Sequence, residues 1–439
     1  MVQNLEELET RDPKEYWKLV NELREKKQNN TPFDAENFTI FFERLFSAPK
    51  TEEKHSKFAE YVTKILDHNP NFKSLTPDFT INELLAAIKA LKNSKAAGPD
   101  RIIAEMLKAS PENVLLLLLK LMNKIKTTFT YPSKWGMGIT SLLFKEGDDD
   151  DPNNYRAITV TDALSKVLAI MMNERIGKWS TDNNIKAKEQ IGFEKKTRPA
   201  DHLFVLKTLI DSYKAQGKKL YACFVDFQKA FDSVWRLGLI YKLIKYGMNL
   251  DMIKLIRNMY DKTSQSLKIN QSLTRSFKTY RGVRQGCILS PRLFNLFIND
   301  IPTIFNDVTC KPVTIMNKKI SCLMYADDLV ILSETPSGLQ TCLQNLHQYT
   351  EKWDLKLNTK KTKVMIFQHQ GRKSKDTFLF GNQIIQSTDS YKYLGTIVTS
   401  TGNFKLNEVN LKKEGAQSII HHFQEHRSTF KSINIHKTI

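Results

Sequence analysis

The chain has 439 residues, 41% of them hydrophobic, and its 66 Lys and Arg residues against 47 Asp and Glu residues give a formal net charge of +19. Such an excess of positive charge favours a polyanionic partner such as nucleic acid, although a ribosome-associated or chromatin protein has it too. Five cysteines without paired spacing and an N-terminus without a signal-peptide pattern argue against a secreted protein. The apolar run Val114–Leu119 is too short to span a bilayer, so we expect an intracellular protein, nuclear or cytoplasmic, without a membrane role.

The first part of the chain has a helical pattern. Residues 1–75 are polar and carry no chemical motif, so we predict a helical N-terminal extension there. Residues 76–215 are predicted to be mostly helical, and Asn93–Pro99 ends their first helix. The apolar residues of that helix recur at helical spacing and make it amphipathic: Ile81, Leu84, Leu85, Ile88 and Leu91.

Four consecutive aspartates, Asp148–Asp151, precede Pro152. The run resembles a metal site in composition, but a block of like charges before a proline is typical of a solvated loop. We therefore predict a loop without metal ligands.

A β-type run, Leu220–Val225, ends at the carboxylate of Asp226, and apolar residues then recur at helical spacing until Gly247. Asp226 is thus predicted where a strand gives way to a helix, a position from which a carboxylate can converge on a metal with residues of other strands. Helix capping, the alternative role for an acidic side chain here, suits Asp232 or Ser233 better.

The segment Arg281–Asp300 combines a loop with a helix. We predict Ser290 as the N-cap and Pro291 as the first helical residue. The two glycines of the loop allow close approach of a backbone or a base, and Arg281 and Arg284 can bind phosphates, so the loop suits a triphosphate or a template strand. An ordinary surface loop with incidental charge is the alternative.

Two adjacent carboxylates, Asp327 and Asp328, interrupt an apolar run. The flanking residues predict two strands joined by a tight turn, with the carboxylates at the tip of the hairpin. Mg²⁺ takes one or two carboxylates together with substrate phosphates, so a third acidic residue from elsewhere is needed to hold two ions. A solvated turn is the alternative.

These segments, in this order and spacing, resemble the palm of reverse transcriptases of the non-LTR retrotransposon (LINE-like) family. The resemblance covers roughly residues 75–400 and rests on eight blocks: AAGPDRIIAEMLK, KEGDDDDPNNYRAITV, QIGFEKKTRPADHLF, FVDFQKAFDSVW, RGVRQGCILSPRLFNLFIND, YADDLVIL, WDLKLNTKKTKVMIF and YKYLGTIV. A single tetrapeptide would be weak support, whereas the ordered series is specific.

The resemblance implies an α+β right-hand polymerase, whose palm is an antiparallel sheet backed by helices. It places the fingers at residues 76–215 and the palm with the catalytic carboxylates at 216–395. Residues 396–439 would be the truncated start of a thumb, and the endonuclease domain of full-length elements would be missing. Activity would be impaired by such a truncation.

The resemblance also implies the catalytic groups. Asp226 and Asp327 would be the principal ligands of two Mg²⁺ ions, for which Mn²⁺ is a possible substitute, with Asp328 as a supporting ligand. Lys361 lies where the family places a general acid for the pyrophosphate leaving group, although Lys360 and Lys363 are equally basic.

Further residues match the family's nucleotide-binding positions. Phe231 matches the aromatic steric gate that favours deoxynucleotides, with an ordinary core phenylalanine as the alternative, and Arg284 belongs to the phosphate-binding loop. The remaining residues would touch the incoming nucleotide or grip its triphosphate: Gln285, Gly286, Lys145 and Arg156. Ala157 stands where the family usually has a proline, which is expected to loosen a turn beside Arg156, and Tyr393–Gly395 resembles the primer grip.

The function implied is RNA-directed DNA polymerase, a nucleotidyltransferase that adds deoxynucleotides to a primer 3′ end on an RNA template. The partners would be an RNA template, a DNA primer and deoxynucleoside triphosphates, while the oligomeric state stays open. A catalytically silent, basic RNA-binding remnant of a retrotransposon is the alternative, and group II intron and bacterial reverse transcriptases are a further option within the enzyme class.

Overall fold

A computed structural model describes residues 34–48, 53–67, 76–194, 197–269, 272–315, 317–368 and 376–406. Most of the expected N-terminal extension and of the expected thumb segment therefore lies outside the described residues. The helices of the described ranges are α1 (Ala35–Leu45), α2 (Glu53–Asp67), α3 (Ile81–Ala90), α4 (Ala104–Lys108), α5 (Glu112–Thr128), α6 (Ala163–Asp182), α7 (Pro199–Ala215), α8 (Ala230–Ser233), α9 (Arg236–Lys245), α10 (Leu250–Asp261), α11 (Ser290–Phe297) and α12 (Pro336–Trp353).

The strands run from the first third of the chain to the last described residue. They are β1 (Met137–Phe144), β2 (Tyr155–Val160), β3 (Leu220–Val225), β4 (Ser264–Ile269), β5 (Ser272–Leu273), β6 (Phe277–Lys278), β7 (Val313–Ile315), β8 (Lys318–Ile320), β9 (Cys322–Tyr325), β10 (Asp328–Ser333), β11 (Lys363–Phe367), β12 (Phe378–Phe380), β13 (Gln383–Ile385), β14 (Ser390–Tyr393), β15 (Thr396–Thr399) and β16 (Phe404–Leu406).

The central sheet has the strand order β11-β3-β10-β9, and every neighbouring pair in it is antiparallel. Strand β3 lies inside the sheet and all six of its residues are buried. Since successive strand residues face opposite sides, Cys223 packs into one hydrophobic core and Ala222 into another. The sheet therefore has to be covered on both faces, and truncating one of its large side chains would cost about 2–5 kcal/mol.

Helices cover these two faces. Leu239 of α9, Leu293 of α11 and Leu343 of α12 lie in the core on one side, whereas Leu206 and Ile210 of α7 pack on the other. The predicted α+β class, with an antiparallel sheet backed by helices, is confirmed. No helix of the described ranges is both long enough and apolar enough to cross a membrane.

A second sheet contains strands β1, β2 and β4. Strands β1 and β2 form an antiparallel hairpin around the acidic run, and β4 pairs with β1 in parallel. Phe38 and Phe42 of α1 pack on this sheet against Tyr155 and Leu267. The segment predicted as a helical extension thus contributes a helix to the layer that carries Lys145 and Arg156.

Local sequence signals predict two helices correctly and one N-cap residue wrongly. The predicted amphipathic helix is α3, and Thr80 caps it in a capping box with Glu83. The prediction of Ser290 as an N-cap is wrong: Ser290 is the first residue of α11, its cap position is Leu289, and the Ser290 Oγ lies 3.3 Å from the Tyr260 Oη. The Ser290 hydroxyl therefore forms a hydrogen bond with a buried tyrosine instead of capping the helix.

Candidate active site

Asp327 and Asp328 lie at the tip of the β9–β10 hairpin. Tyr325 pairs with Asp328, so Ala326 and Asp327 form a two-residue turn, as the sequence predicted. Ala326 adopts a left-handed φ of +55°. This conformation costs a residue other than glycine about 1–2 kcal/mol, so the turn needs outside support.

Gln190 supplies that support. Its side chain is 1% exposed, its Oε1 accepts from the Ala326 N–H at 2.9 Å, and its Nε2 donates to the Ala326 carbonyl at 3.1 Å. Gly192 follows closely, and a Cβ at that position would lie 2.2 Å from the Ala326 nitrogen. The segment before α7 therefore clamps the turn that carries Asp327.

Asp226 directly follows β3. Because Val225 pairs with Leu329, Asp226 and Asp328 come to the same edge of the central sheet. The Asp226 N–H donates to the Thr362 Oγ1 at 3.1 Å, and its carbonyl accepts from the Asn358 N–H at 2.8 Å. Both backbone groups at the end of the strand are thus fixed by the turn before β11.

The three carboxylates share one electrostatic environment. Burial raises the pKa of Asp226, and the positive charges of Lys361 and Lys145 offset part of this increase. Burial raises the pKa of Asp327 as well, and the charge of Asp226 adds to it. Asp328 keeps solvent-exposed surface, yet partial burial of its carboxyl group, with the charges of Asp327 and Asp226, raises its pKa to about 7.

Mutually repelling carboxylates of this kind fit divalent cations, since each ion would replace repulsion by attraction. The oxygens of Asp148–Asp150 lie within 4.8 Å of one another. Among the described residues, this is the one group of three metal-ligating side chains that meets this distance. Those aspartates are exposed, and Asp148 Oδ1 accepts from the Asp150 N–H at 3.0 Å, a local turn contact that agrees with the predicted solvated loop. The oxygens of Asp226, Asp327 and Asp328 do not all lie within 4.8 Å of one another, so these three side chains form a wider set that could hold cations between them.

Basic residues of the second sheet reach the same place. Arg156 of β2 pairs with Leu143, and Lys145 follows the end of β1. Partial burial and the charge of Arg156 lower the pKa of Lys145, whereas the charges of Asp232 and Asp226 raise it. Lys145 and Arg156 therefore act on the carboxylates of the central sheet and on each other.

The position after Arg156 departs from the expected turn. Ala157 lies inside β2, pairs with Leu142 and packs in the core under α1 with Phe38 and Phe42. The expectation of a loosened turn is wrong, because the regular strand ladder fixes Arg156.

Lys361 is distinguished from its lysine neighbours by its contacts. Its Nζ lies 3.6 Å from the Glu146 Oε1, which joins the turn before β11 to the β1–β2 loop, and its charge lowers the pKa of Asp226. The Lys363 ammonium instead donates to the Gln386 Oε1 at 2.6 Å. Among the lysines of this segment, the structure thus brings Lys361 to the carboxylates.

Phe231 is half-buried after a tight bend. Its ring stacks on Phe294 with centroids 4.5 Å apart, and Phe193 meets it edge-on at 6.1 Å. One part of the ring is thus held by the core while another part stays accessible. This arrangement accommodates both a core role and a role as a plate beneath a sugar.

Gln285 is held by a residue that sequence reasoning assigned elsewhere. Its Nε2 lies 2.9 Å from both carboxylate oxygens of Asp232, and its carbonyl accepts from the Thr159 N–H at 2.8 Å. Gly286 has φ of +104°, and a Cβ there would lie 2.5 Å from the Thr159 carbonyl oxygen. The helix-capping role predicted for Asp232 is wrong, because its side chain bonds to the loop instead.

The loop arginines point into the protein. The Arg284 guanidinium donates to the Gly136 carbonyl before β1. Arg281 pairs with Asp354 at 2.8 Å and donates to the Ser233 carbonyl at 2.7 Å. In this structure both arginines therefore fasten the loop, and the structure does not bring Arg284 to the carboxylates.

The hairpin of β14 and β15 borders the site. Tyr391 stacks on Phe224 of β3 with centroids 4.6 Å apart, and the turn Leu394–Gly395 has positive φ at both residues. Burial, with the charges of Asp226 and Asp328, raises the pKa of Tyr391. The segment that resembles a primer grip thus lies within electrostatic reach of the carboxylates.

The sequence did not predict the contacts that Gln190 and Asp232 make. Gln190 opens the QIGFEKKTRPADHLF block, and Asp232 is the second aspartate of FVDFQKAFDSVW. Those blocks were the available signal, but no local pattern identifies the partner of either side chain.

Known proteins resemble this chain in sequence. The family model for reverse transcriptase (RNA-dependent DNA polymerase) matches residues 144–398. The probable RNA-directed DNA polymerase from transposon BS of Drosophila melanogaster is 28% identical over 295 residues, which cover 64% of this chain and 31% of that protein. A Pol polyprotein from the type-1 retrotransposable element R2 of Nasonia vitripennis is 27% identical over 310 residues, covering 69% of this chain and 29% of that protein.

The chain spans about a third of the length of these relatives. Among solved structures, an apo telomerase from Candida Tropicalis has a TM-score of 0.45 at 12% identity, covering 73% of this chain and 64% of that one. The family match covers more than half of the chain. The resemblance to enzymes of non-LTR retrotransposons is thereby confirmed, and this chain belongs to the reverse transcriptase (RNA-dependent DNA polymerase) family.

Proposed function

We propose that this chain adds deoxynucleotides to a primer 3′ end with RNA as the template. The observation that carries the proposal is the meeting of Asp226, Asp327 and Asp328 at one edge of the central sheet, with Lys145 and Arg156 acting on them from the second sheet. Nucleotide addition is an in-line phosphoryl transfer, in which the protein contributes positioning and charge stabilisation.

Asp226 and Asp327 would hold two Mg²⁺ ions, or Mn²⁺ in their place, with Asp328 as a supporting ligand. When bound, such ions stabilise charge on the attacking and leaving oxygens of the transfer. The raised pKa of all three carboxyl groups supports the assignment, because carboxylates that repel one another gain most from a cation.

Lys145 and Arg156 would bind the triphosphate, and Lys361 would give a proton to the pyrophosphate as it leaves. All three side chains keep exposed surface, and the Lys361–Glu146 pair connects the turn before β11 with the β1–β2 loop at 3.6 Å. An exposed pair of this length contributes little to stability, so a triphosphate can displace it.

Phe231 would exclude ribonucleotides, while Gln285 and Gly286 would contact the incoming nucleotide. For Arg284 we propose a phosphate contact that requires it to leave the Gly136 carbonyl. The hairpin of β14 and β15 would seat the primer end. We also propose residues 76–215 as fingers, 216–395 as palm and 396–439 as thumb.

Primer extension tests the proposal. The purified chain would be given poly(rA), an oligo(dT) primer, dTTP and Mg²⁺, next to the variants Asp226→Ala and Asp327→Ala. We expect extension by the parent, and a loss on the order of 10² or more in both variants, as when a transition-state stabiliser is removed. Asp150→Ala is the matched control, since it removes an exposed aspartate of the acidic run, and it should extend like the parent.

Binding of the same duplex, measured over a range of salt concentrations, separates the alternatives. A parent that binds in a salt-sensitive way and extends nothing would be an RNA-binding remnant rather than a polymerase. If the Asp226→Ala variant extends the primer as efficiently as the parent does, the assignment of the carboxylates is contradicted.

A further inference from the structure

Asp232 is a buried carboxylate that the catalytic assignment leaves without a role. It is 5% exposed, and both of its oxygens lie 2.9 Å from the Gln285 Nε2. Burying a carboxylate is costly unless hydrogen bonds compensate for the lost water. The partner in both contacts is the Gln285 amide, which lies on the loop proposed to contact the nucleotide.

The chemistry of this pair fixes one orientation of the amide. An ionised carboxylate only accepts hydrogen bonds, whereas a glutamine amide has a donor end and an acceptor end. The nitrogen of Gln285 must therefore face Asp232, and its Oε1 must face away. Without the carboxylate, rotation about the last side-chain bond would let the two ends exchange.

The backbone of the loop does not depend on this contact. The Val283 N–H donates to the Phe231 carbonyl and the Gly282 N–H donates to the Val234 carbonyl, each at 2.8 Å. The Thr159 N–H holds the Gln285 carbonyl at 2.8 Å. Since these bonds fasten the loop on two sides, the carboxylate of Asp232 is left to determine how the Gln285 side chain is turned.

Asp232 also belongs to the electrostatic neighbourhood of the proposed triphosphate site. Burial raises the pKa of Asp232 to about 6, although the Gln285 amide and the positive charges of Lys229, Lys145 and Arg156 counteract part of the increase, so the carboxylate is in its acceptor-only form at pH 7 and above. Phe231, the proposed steric gate, is its immediate neighbour in α8. The groups that would touch the phosphates, the sugar and the rest of the nucleotide are therefore connected through this short segment.

We infer, on the basis of the proposed function, that Asp232 is a positioning residue for the nucleotide site, which holds Gln285 so that its amide oxygen is presented as an acceptor to the incoming deoxynucleoside triphosphate. Asp232 itself touches neither the nucleotide nor the ions. Its effect on nucleotide binding is transmitted by the Gln285 side chain.

The test measures nucleotide binding without turnover. The full chain, Mg²⁺, poly(rA) and an oligo(dT) primer ended by a dideoxynucleotide would be titrated with dTTP, and the salt-stable ternary complex would be quantified. We expect Asp232→Asn to raise the apparent Kd for dTTP on the order of 10-fold, because its amide can present either end to Gln285. With an extendable primer, the KM for dTTP should rise similarly while kcat stays within about 3-fold, which a merely structural loss would not produce.

A double-mutant cycle identifies the route of the effect. Gln285→Met keeps the length of the side chain without the amide, and adding Asp232→Asn to it should cause no further loss of dTTP affinity. Asp251→Asn is the control, since Asp251 is also buried, at 2% exposed, and its Oδ2 lies 3.3 Å from the Thr76 Oγ1. Whatever its effect on the melting temperature, that control should leave the Kd for dTTP unchanged.

The outcomes are separable. An unchanged Kd in Asp232→Asn, or losses that add fully in the double variant, would overturn the positioning role. A parent that binds the duplex but forms no ternary complex would instead refute the proposed function. If Asp232→Asn does not fold, Asp232→Ala removes the buried charge together with the acceptor, and the same expectations apply to it.

Discussion

The Gln190 side chain forms hydrogen bonds with both backbone groups of Ala326: it accepts from the Ala326 N–H at 2.9 Å and donates to the Ala326 carbonyl at 3.1 Å. The two residues lie 136 positions apart in the chain. Through this contact the segment before α7 determines the shape of the turn that carries Asp327. The hairpin tip is therefore a tertiary structure rather than a local turn.

Replacing Gln190 by Leu should loosen that tip. The change leaves a buried N–H and a buried carbonyl of Ala326 without partners, which costs about 2–4 kcal/mol in unfolding free energy. Because Asp327 would lose its fixed position, we expect kcat for primer extension to fall on the order of 10², with a smaller effect on binding of the duplex. Chemical denaturation and primer extension measure the two effects.

The control for that substitution is Gln340→Leu. The Gln340 side chain likewise forms hydrogen bonds with both the N–H and the carbonyl of one residue, Leu379, but these contacts are exposed. It should cost less stability and leave extension unchanged. Equal effects of the two substitutions on extension would contradict the special role of Gln190.

Ala326→Gly should stabilise the chain. Ala326 has a φ of +55°, which glycine adopts without strain, so relief of about 1 kcal/mol is expected after the entropy cost of glycine is subtracted. Thermal unfolding would report a higher melting temperature. Ala222→Gly, in the fully buried strand β3, is the opposite control and should lower it. A lower melting temperature for Ala326→Gly would mean that the methyl group contributes more than the strain costs.

The carboxylates should make the stability of the metal-free chain dependent on pH. Asp328 has a pKa of about 7 in the folded chain, whereas an aspartate in an unfolded chain titrates near about 3.9. The folded state therefore keeps a proton that the unfolded state has lost. The stability linked to this proton is present at low pH and decreases as the pH rises from about 4 to about 7.

Asp328→Asn removes this dependence, so its advantage in melting temperature over the parent should be larger near pH 8 than near pH 5, as thermal unfolding in a chelator can measure. Adding Mg²⁺ near pH 8 should stabilise the parent and do so less in Asp226→Asn. An advantage that does not change with pH would contradict the raised pKa.

Local patterns predicted the parts of the site that a short segment determines. The apolar β-type runs, and the carboxylates that end or interrupt them, predicted Asp226, Asp327 and Asp328 at strand ends, and the tight turn between Tyr325 and Asp328 is as expected. Gly247, predicted to stop a helix, follows α9 with φ of +76°. These features depend on neighbours within a few residues, which is the range over which periodicity and turn chemistry act.

Contacts between distant segments were out of reach. Asp232 was assigned to helix capping because aspartate is common there, yet its partner Gln285 lies 53 positions away. Arg284 was expected to face a phosphate, and it reaches the Gly136 carbonyl, 148 positions away. A polar side chain offers no periodic signal of its partner, so only the packed structure identifies these pairs.

Phe231→Val should relax the choice of sugar. Shortening the plate that Phe294 supports would make room for a 2′-hydroxyl, so incorporation of UTP relative to dTTP is expected to rise on the order of 10². Primer extension with each nucleotide measures the ratio. Phe305→Leu, at a fully buried core position, is the control and should lower the melting temperature without changing that ratio. If both substitutions lower stability alike and neither changes the ratio, Phe231 is an ordinary core residue.

Lys361→Met should slow the chemical step. The Lys361 charge acts on Asp226, and its Nζ lies 3.6 Å from the Glu146 Oε1, so it is the lysine of its segment that the structure brings to the carboxylates. Loss of a general acid should lower kcat on the order of 10² under single-turnover conditions. Stability should change by less than about 1 kcal/mol, because the pair with Glu146 is exposed.

Its neighbours provide matched controls for the same chemical change. Lys363 is held by the Gln386 Oε1 at 2.6 Å, so Lys363→Met and Lys360→Met should keep kcat within about 3-fold of the parent. If all three variants lose kcat equally, the effect comes from the summed positive charge of the segment, and proton transfer to the pyrophosphate has to be assigned to another group.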